Sequence, residues 1–319
     1  MEKHLIPVYE DKNIIEFADQ QLKIFWLPEE IKVEKDVQDV LTNFSEAEKH
    51  AVITTLRLFS LYETHAGDEY WGTRFKEMFS GAEYHRMASV FSMFELAVHA
   101  PFYNKINELL YINTSEFYTS YQDSPVLKAR IDHIGEMISD KNDLVSLGSF
   151  SMVEGVILYS NFAFLKHYQS QGKNKLMNVV RGLNFSARDE HRHAEASAYC
   201  FRKKAQDVDA DYLYKVEQKI RETARKIYEH ECAIIAMLFE KGKVEGITAH
   251  QLENFVQSRI NHCLKQLGFS KEYDVKYNPI SEWFYKGIND YQFNDFFSGQ
   301  GNQYHRVWDE TAFTWKGNE

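Results

Sequence analysis

Four glutamates stand where the helical periodicity of this chain asks for apolar side chains. A helix turns about 100° per residue, so positions three and four apart share a face. In the segment that opens at Ser45 the apolar stripe runs Val52, Leu56, Phe59, Ala66 and Tyr70, and Glu63 falls inside it. In the next segment Tyr84, Ala88 and Phe91 lead to Glu95 and then His99. Further on, Leu147 and Phe150 lead to Glu154, with Leu158 and Phe162 after it. Val179 and Leu183 then lead to Glu190 and His193. A carboxylate buried alone is costly, so it neutralises or finds a partner. One such Glu is ordinarily a rim residue or half of an ion pair, and one Glu–His pair is a weak signal. The repeated order is different: Glu, then Glu with His; Glu, then Glu with His. Glu63 and Glu95 are 32 residues apart and Glu154 and Glu190 are 36 apart, which is the spacing of a repeated helix pair.

This is the ligand set of ferritin-like dinuclear carboxylate proteins, in which two helices each give a Glu and two give a Glu-x-x-His unit. Four carboxylates neutralise two divalent ions and so remove most of the burial cost. The pattern predicts an all-α, ferritin-like helical bundle with a dinuclear metal site between four helices. The predicted ligands are Glu63, Glu95, His99, Glu154, Glu190 and His193. Oxygen and imidazole donors suit iron or manganese better than zinc thiolate chemistry. Glu190 and His193 have the expected spacing of three, but Glu95 and His99 are four apart, with Leu96 at the expected position. A spacing of four still shares a face. Pro101 removes a backbone bond to Ala97, so an irregular turn such as a π-bulge is expected there. Asp68 is the rival first ligand, ranked second because it lies about 140° around the helix from Glu63.

The rest of the chain agrees with helices. Only 5 prolines and 15 glycines punctuate 319 residues, and no strand-like alternation of any length occurs. Ser45-Glu46-Ala47-Glu48 is a capping box that opens a helix to about Phe79, where Gly81 breaks it. Further helices are expected over about 82–111, 115–139, 143–170, 174–205, 210–241 and 248–267. Residues 1–44 read as an N-terminal arm, 45–294 as the helical domain, and 295–319 as a polar, aromatic tail. The net charge of −10 repels phosphate backbones and argues against nucleic acid as a partner. Cys200, Cys232 and Cys263 form no CxxC pair, which fits a reducing cytosol, and the N-terminus has no apolar signal region. The apolar stretch from Leu144 to Leu165 contains Glu154, Asn161, serines and glycines, so a buried helix is expected, not a membrane span.

Several segments resemble the small subunit of class I ribonucleotide reductase. They are His99-Ala100-Pro101-Phe102-Tyr103, Ala187-Arg188-Asp189-Glu190-His191-Arg192-His193, Phe25-Trp26-Leu27-Pro28-Glu29-Glu30, and Tyr277-Asn278-Pro279 followed by Asp295-Phe296-Phe297 and Tyr304. The resemblance covers most of the chain, with the Glu95–His99 spacing as its one clear mismatch. It implies two metal ions per chain, iron or manganese with di-iron favoured, and a radical on Tyr103 in a dry pocket for which Leu158 and Phe162 are candidate walls. It implies a relay in which Asp189 bonds His99 and Trp26 completes an electron path, with Tyr304 passing the radical across from the tail. It also implies a large catalytic subunit that reduces ribonucleotides, a homodimer, a cytoplasmic location and, for some metal choices, a flavoprotein activator. Asp309-Glu310-Thr311-Ala312-Phe313-Thr314-Trp315 has the make-up of a segment that docks in a partner groove.

Three other readings compete. A different dinuclear oxidase or oxygenase on the same fold would share the ligands but need a substrate channel instead of a relay tail. An iron-storage subunit would be shorter and build a shell. A metal-free helical scaffold would fail a metal analysis.

Overall fold

The computed structural model describes residues 8–285. Among them there is no β-strand, and the elements are helices joined by short connections. In chain order they are α1 (Lys12–Lys23), α2 (Glu46–Thr64), α3 (Phe75–Met78), α4 (Ala82–Phe94), α5 (Ala100–Leu109), α6 (Ser115–Thr119), α7 (Pro125–Ser139), α8 (Asp143–Val156), α9 (Tyr159–Lys166), α10 (Met177–Ala205), α11 (Ala210–Leu238) and α12 (Ala249–Leu267). Two π-helical segments, His65–Arg74 and Glu95–His99, join α2 to α3 and α4 to α5 without a break.

Helix α8 lies at the centre. Every residue from Leu144 to Val156 is buried, and α7, α10, α11 and α12 all pack against it. This explains the apolar run that tempts a membrane reading: it is apolar on all sides because it is covered on all sides. No helix among the described residues is long and apolar enough to cross a membrane.

Local chemistry sets most of the ends. Ser45 accepts from the Glu48 backbone while Glu48 returns the bond, and Thr248 and Gln251 make the same reciprocal cap for α12. Helix α10 has no local cap. Asp36, from the arm, accepts hydrogen bonds of 2.7 Å from the backbone N–H groups of both Asn178 and Val179. That long-range cap fastens the 8–44 stretch to the bundle, with α1 packed on α4 and Trp26 buried.

Three expected helices differ. The 115–139 segment is divided by Ser124-Pro125, where Ser124 caps α7 and Pro125 occupies its first turn. The 143–170 segment breaks at Ile157-Leu158, where Leu158 adopts a left-handed φ of 73°. The helix expected from 174 begins at Met177, after Asn174 and Leu176, both with positive φ. A left-handed Leu is unfavourable in isolation, so the surrounding packing dictates it and no local signal announces it.

Gly182 on α10 faces the ring of Phe102 on α5, and a Cβ there would collide with that ring. Gly182→Ala is expected to destabilise the protein by about 1–3 kcal/mol through overpacking. Urea denaturation of the variant against the parent chain measures it.

Candidate metal centre

Helix α2 delivers Glu63 in its last turn and then loosens into the π segment His65–Arg74. There the Phe75 N–H reaches the Tyr70 carbonyl five residues back, as a π-helical turn requires. Gly67, in this segment, lies against α4. A methyl group on it would meet Glu95 Cβ at 2.8 Å and Leu96 Cγ at 2.7 Å, so only glycine lets the two π segments approach this closely. The second segment, Glu95–His99, closes with the Ala100 N–H bonded to the Glu95 carbonyl. Its wider turn accounts for the Glu95–His99 spacing of four: both side chains still point inward. Pro101, which has no N–H to offer the α-helical register, stands just beyond.

The six expected side chains converge from four helical segments, all at most 1% exposed. They form two overlapping groups in which single ligand atoms lie within 4.8 Å of one another: Glu63, Glu95, His99 and Glu190; and Glu95, Glu154, Glu190 and His193. Glu95 and Glu190 are common to both. His99 Nδ1 lies 2.9 Å from Glu95, 3.2 Å from Glu190 and 3.6 Å from Glu63. His193 Nδ1 lies 2.6 Å from Glu95 and 3.5 Å from Glu190. Asp68 is exposed and belongs to neither group.

The electrostatics fit a pair of cations. Burial first, then the charges of Glu190 and Glu95, push the Glu63 and Glu154 carboxyls well above the usual carboxylate range. Burial opposes charge on His193, but Glu95 and Glu190 beside it together outweigh burial and lift the imidazole to about 9. His99 is likewise lifted despite burial, by Glu95, by its bond to Asp189 and by the nearby Glu190 and Glu63. Burial alone would raise Glu95, yet the two imidazoles hold it well below its ordinary value. In the protein alone, protons balance these charges. Both oxygens of Glu63 and of Glu190, and His193 Nδ1, make no hydrogen bond within the protein. Buried atoms of this kind ordinarily have partners, and two divalent ions would satisfy them.

A supporting layer surrounds the ligands. Asp189 Oδ2 accepts from Trp26 Nε1 at 2.9 Å and lies 3.2 Å from His99 Nε2, so one carboxylate oxygen joins the indole to the imidazole. The Tyr103 hydroxyl shares a 2.8 Å hydrogen bond with Ser186. Phe59 lies against the Tyr103 ring at 4.5 Å between centroids, and Phe162 packs behind Phe59. Sequence reasoning missed Tyr62, Trp71, Gly67 and Ser186. Trp71 Nε1 donates to Glu154 Oε1 at 2.7 Å, and the Tyr62 hydroxyl lies 3.2 Å from Glu154 Oε2. The adjacency of Tyr62 to Glu63 was the one available signal for that residue. Tyr304 and the tail 295–319 lie outside the described residues.

Fold and site together define a ferritin-like dinuclear carboxylate protein. The family model for the ribonucleotide reductase small chain matches residues 5–279, more than half of the sequence, and the chain belongs to that family. It is 25% identical over 313 residues to the ribonucleoside-diphosphate reductase beta subunit of Bacillus subtilis, covering 94% of this chain and 91% of that one. It is 27% identical over 318 residues to the beta subunit from Bacillus phage SPbeta, with coverage of 94% and 91%. Among solved structures, the dimanganese(II) NrdF of Streptococcus sanguinis superposes with a TM-score of 0.78 at 21% identity, over 88% of this chain and 99% of that one. The activity is therefore that of the small subunit of ribonucleoside-diphosphate reductase, and a large subunit is the implied partner.

Two predictions follow from the shared carboxylates and the protons they hold. Glu190→Ala, which removes a ligand atom from both groups, is expected to lower the occupancy of both ions. Glu63→Ala should affect one; elemental analysis of the purified variants distinguishes the cases. Metal binding must displace protons from His193, His99, Glu63 and Glu154, all of which hold them more tightly here than in water. Affinity should therefore rise with pH through neutrality and still be rising near 9, the His193 value. Calorimetric titration with Mn(II) in buffers of different ionisation enthalpy measures the protons released.

Proposed function

We propose that this chain generates and stores the radical for ribonucleotide reduction at Tyr103. The observation that carries this reading is the pair of overlapping ligand groups, with Tyr103 and the Trp26–Asp189–His99 hydrogen-bond run both beside the group that holds Glu63 and His99. The proposed ligands are Glu63 and His99 for one ion, Glu154 and His193 for the other, and Glu95 and Glu190 for both. When bound, two redox-active ions supply, with oxygen, the oxidising equivalent that tyrosine oxidation requires. Di-iron is the favoured pair. Manganese is the alternative, supported by the same donor chemistry and by the dimanganese(II) neighbour.

Each protein group has a role that its surroundings support. Tyr103 is wholly buried among Phe59, Phe102 and the metal ligands, so water is kept from its ring. Burial, followed by the charge of Glu63, pushes its phenol well above the ordinary tyrosine value, which disfavours loss of a proton alone and favours loss of proton and electron together. Ser186 holds the hydroxyl in one orientation. Asp189 fixes the His99 ring with Nδ1 toward the carboxylates and Nε2 on its own Oδ2, the orientation a metal-binding imidazole takes from such a partner. Trp26, on the arm, is then the proposed entry for an electron. From there the proposed route passes to Tyr304 in the tail, and 309–315 is the proposed docking segment for the large subunit. A homodimer, a cytoplasmic location and a flavoprotein activator rest on the family resemblance.

The test pairs two readings on one sample: metals per chain, then the electron paramagnetic resonance spectrum after ferrous iron and oxygen. Two metals and a tyrosyl signal are expected for the parent chain. Tyr103→Phe should keep both metals and lose the signal; a tyrosyl signal retained in that variant overturns the assignment. Trp26→Phe should keep metals and signal but lose nucleotide reduction when the large subunit is added.

A further inference from the structure

The two carboxylates that belong to only one group each are held very differently. Neither oxygen of Glu63 has a hydrogen bond within the protein. Both oxygens of Glu154 have one: Oε1 accepts from Trp71 Nε1 at 2.7 Å, and Oε2 faces the Tyr62 hydroxyl at 3.2 Å. The Tyr62 hydroxyl has a second acceptor in reach, the Val153 carbonyl at 3.1 Å. Once Glu154 carries its charge, the carboxylate is the stronger acceptor and takes the proton.

The helix geometry is built for this grip. Tyr62 and Trp71 are nine residues apart on one continuous helix. At about 100° per residue an unbroken α-helix would set them on opposite faces, roughly 180° apart. The π segment His65–Arg74 opens between them and contains Trp71, and its wider turns bring Trp71 round to the same carboxylate that Tyr62 faces. The same helix therefore gives one ligand, Glu63, and grips the ligand of the opposite group. Tyr62 and Trp71 are both buried, at 2% and 0% exposure, so water does not compete for Glu154 from their side.

The geometry points to Tyr62 as a positioning residue: together with Trp71 it locks both oxygens of Glu154, so the ion held by Glu154 and His193 sits against a fixed carboxylate while Glu63 stays free to change how it binds. This rests on the reading of Glu154 as a metal ligand. Tyr62 touches no reacting atom and acts only through Glu154.

The experiment is a titration of the full metal-free chain with Mn(II), following free Mn(II) by electron paramagnetic resonance, for the parent, Tyr62→Phe, Tyr70→Phe and Trp71→Phe. Tyr70 is the control, because its hydroxyl is as deeply buried and bonds Ser197 instead of a ligand. The expected result is two ions in the parent, with one of the two binding steps weakened about 10–100-fold in Tyr62→Phe, the loss typical of removing a partner that orients a metal ligand. The other step should be unchanged, Tyr70→Phe should match the parent, and Trp71→Phe should weaken the same step as Tyr62→Phe, which keeps the proposal open to refutation if Tyr62→Phe does not fold. A Tyr62→Phe titration identical to the parent overturns the grip and leaves Glu154 as a ligand. Equal weakening of both steps in Tyr62→Phe and Tyr70→Phe also overturns it, by assigning the effect to packing. Fewer than two ions in the parent chain overturns both the grip and the ligand reading beneath it.

Discussion

Everything in this molecule is arranged around carboxylates that cannot be buried together without cations. Glu63, Glu95, Glu154 and Glu190 lie in the dry centre of a helical bundle, within reach of two imidazoles and one another. Like charges this close, with no water to screen them, repel strongly. The protein alone answers with protons, on Glu63, Glu154 and both histidines. Two divalent ions answer better, because they neutralise the carboxylates and occupy the oxygens that have no hydrogen bond. A packed core can hold such a site only if the bundle is stable enough to keep the ligands aimed inward, which is what the fully covered helix α8 and its neighbours provide.

The π segments are the second device. An α-helix offers a fixed angular menu, and two helices here depart from it beside the site. Glu95–His99 widens so that ligands four apart both face inward. His65–Arg74 widens so that Trp71 reaches Glu154. Widened turns of this kind give up regular backbone hydrogen bonds, and they are found mostly at functional sites. The close approach of the two segments depends on the missing side chain of Gly67.

Much of this was legible in the chain. Glutamates on apolar stripes gave the four ligand-bearing helices, and the irregular turn was readable from the Glu95–His99 spacing and Pro101. The capping box at Ser45 located the start of α2 to the residue, and the helix expected over 248–267 begins at Ala249. What was hidden lay in tertiary packing. Leu158 takes a left-handed conformation that its own side chain disfavours, so the break after α8 follows from its neighbours. Asp36 caps α10 from more than a hundred residues away, and no local pattern links the two. The long π segment after Glu63 has no proline to announce it, which concealed the grip of Tyr62 and Trp71 on Glu154.

The central claim is that two ions share Glu95 and Glu190 at the heart of the bundle. Anomalous diffraction from crystals of the full chain loaded with Mn(II) tests it most directly. The account predicts two peaks, one beside Glu63 and His99, the other beside Glu154 and His193, with Glu95 and Glu190 contacting both. A single peak, or two peaks that share neither carboxylate, would contradict it.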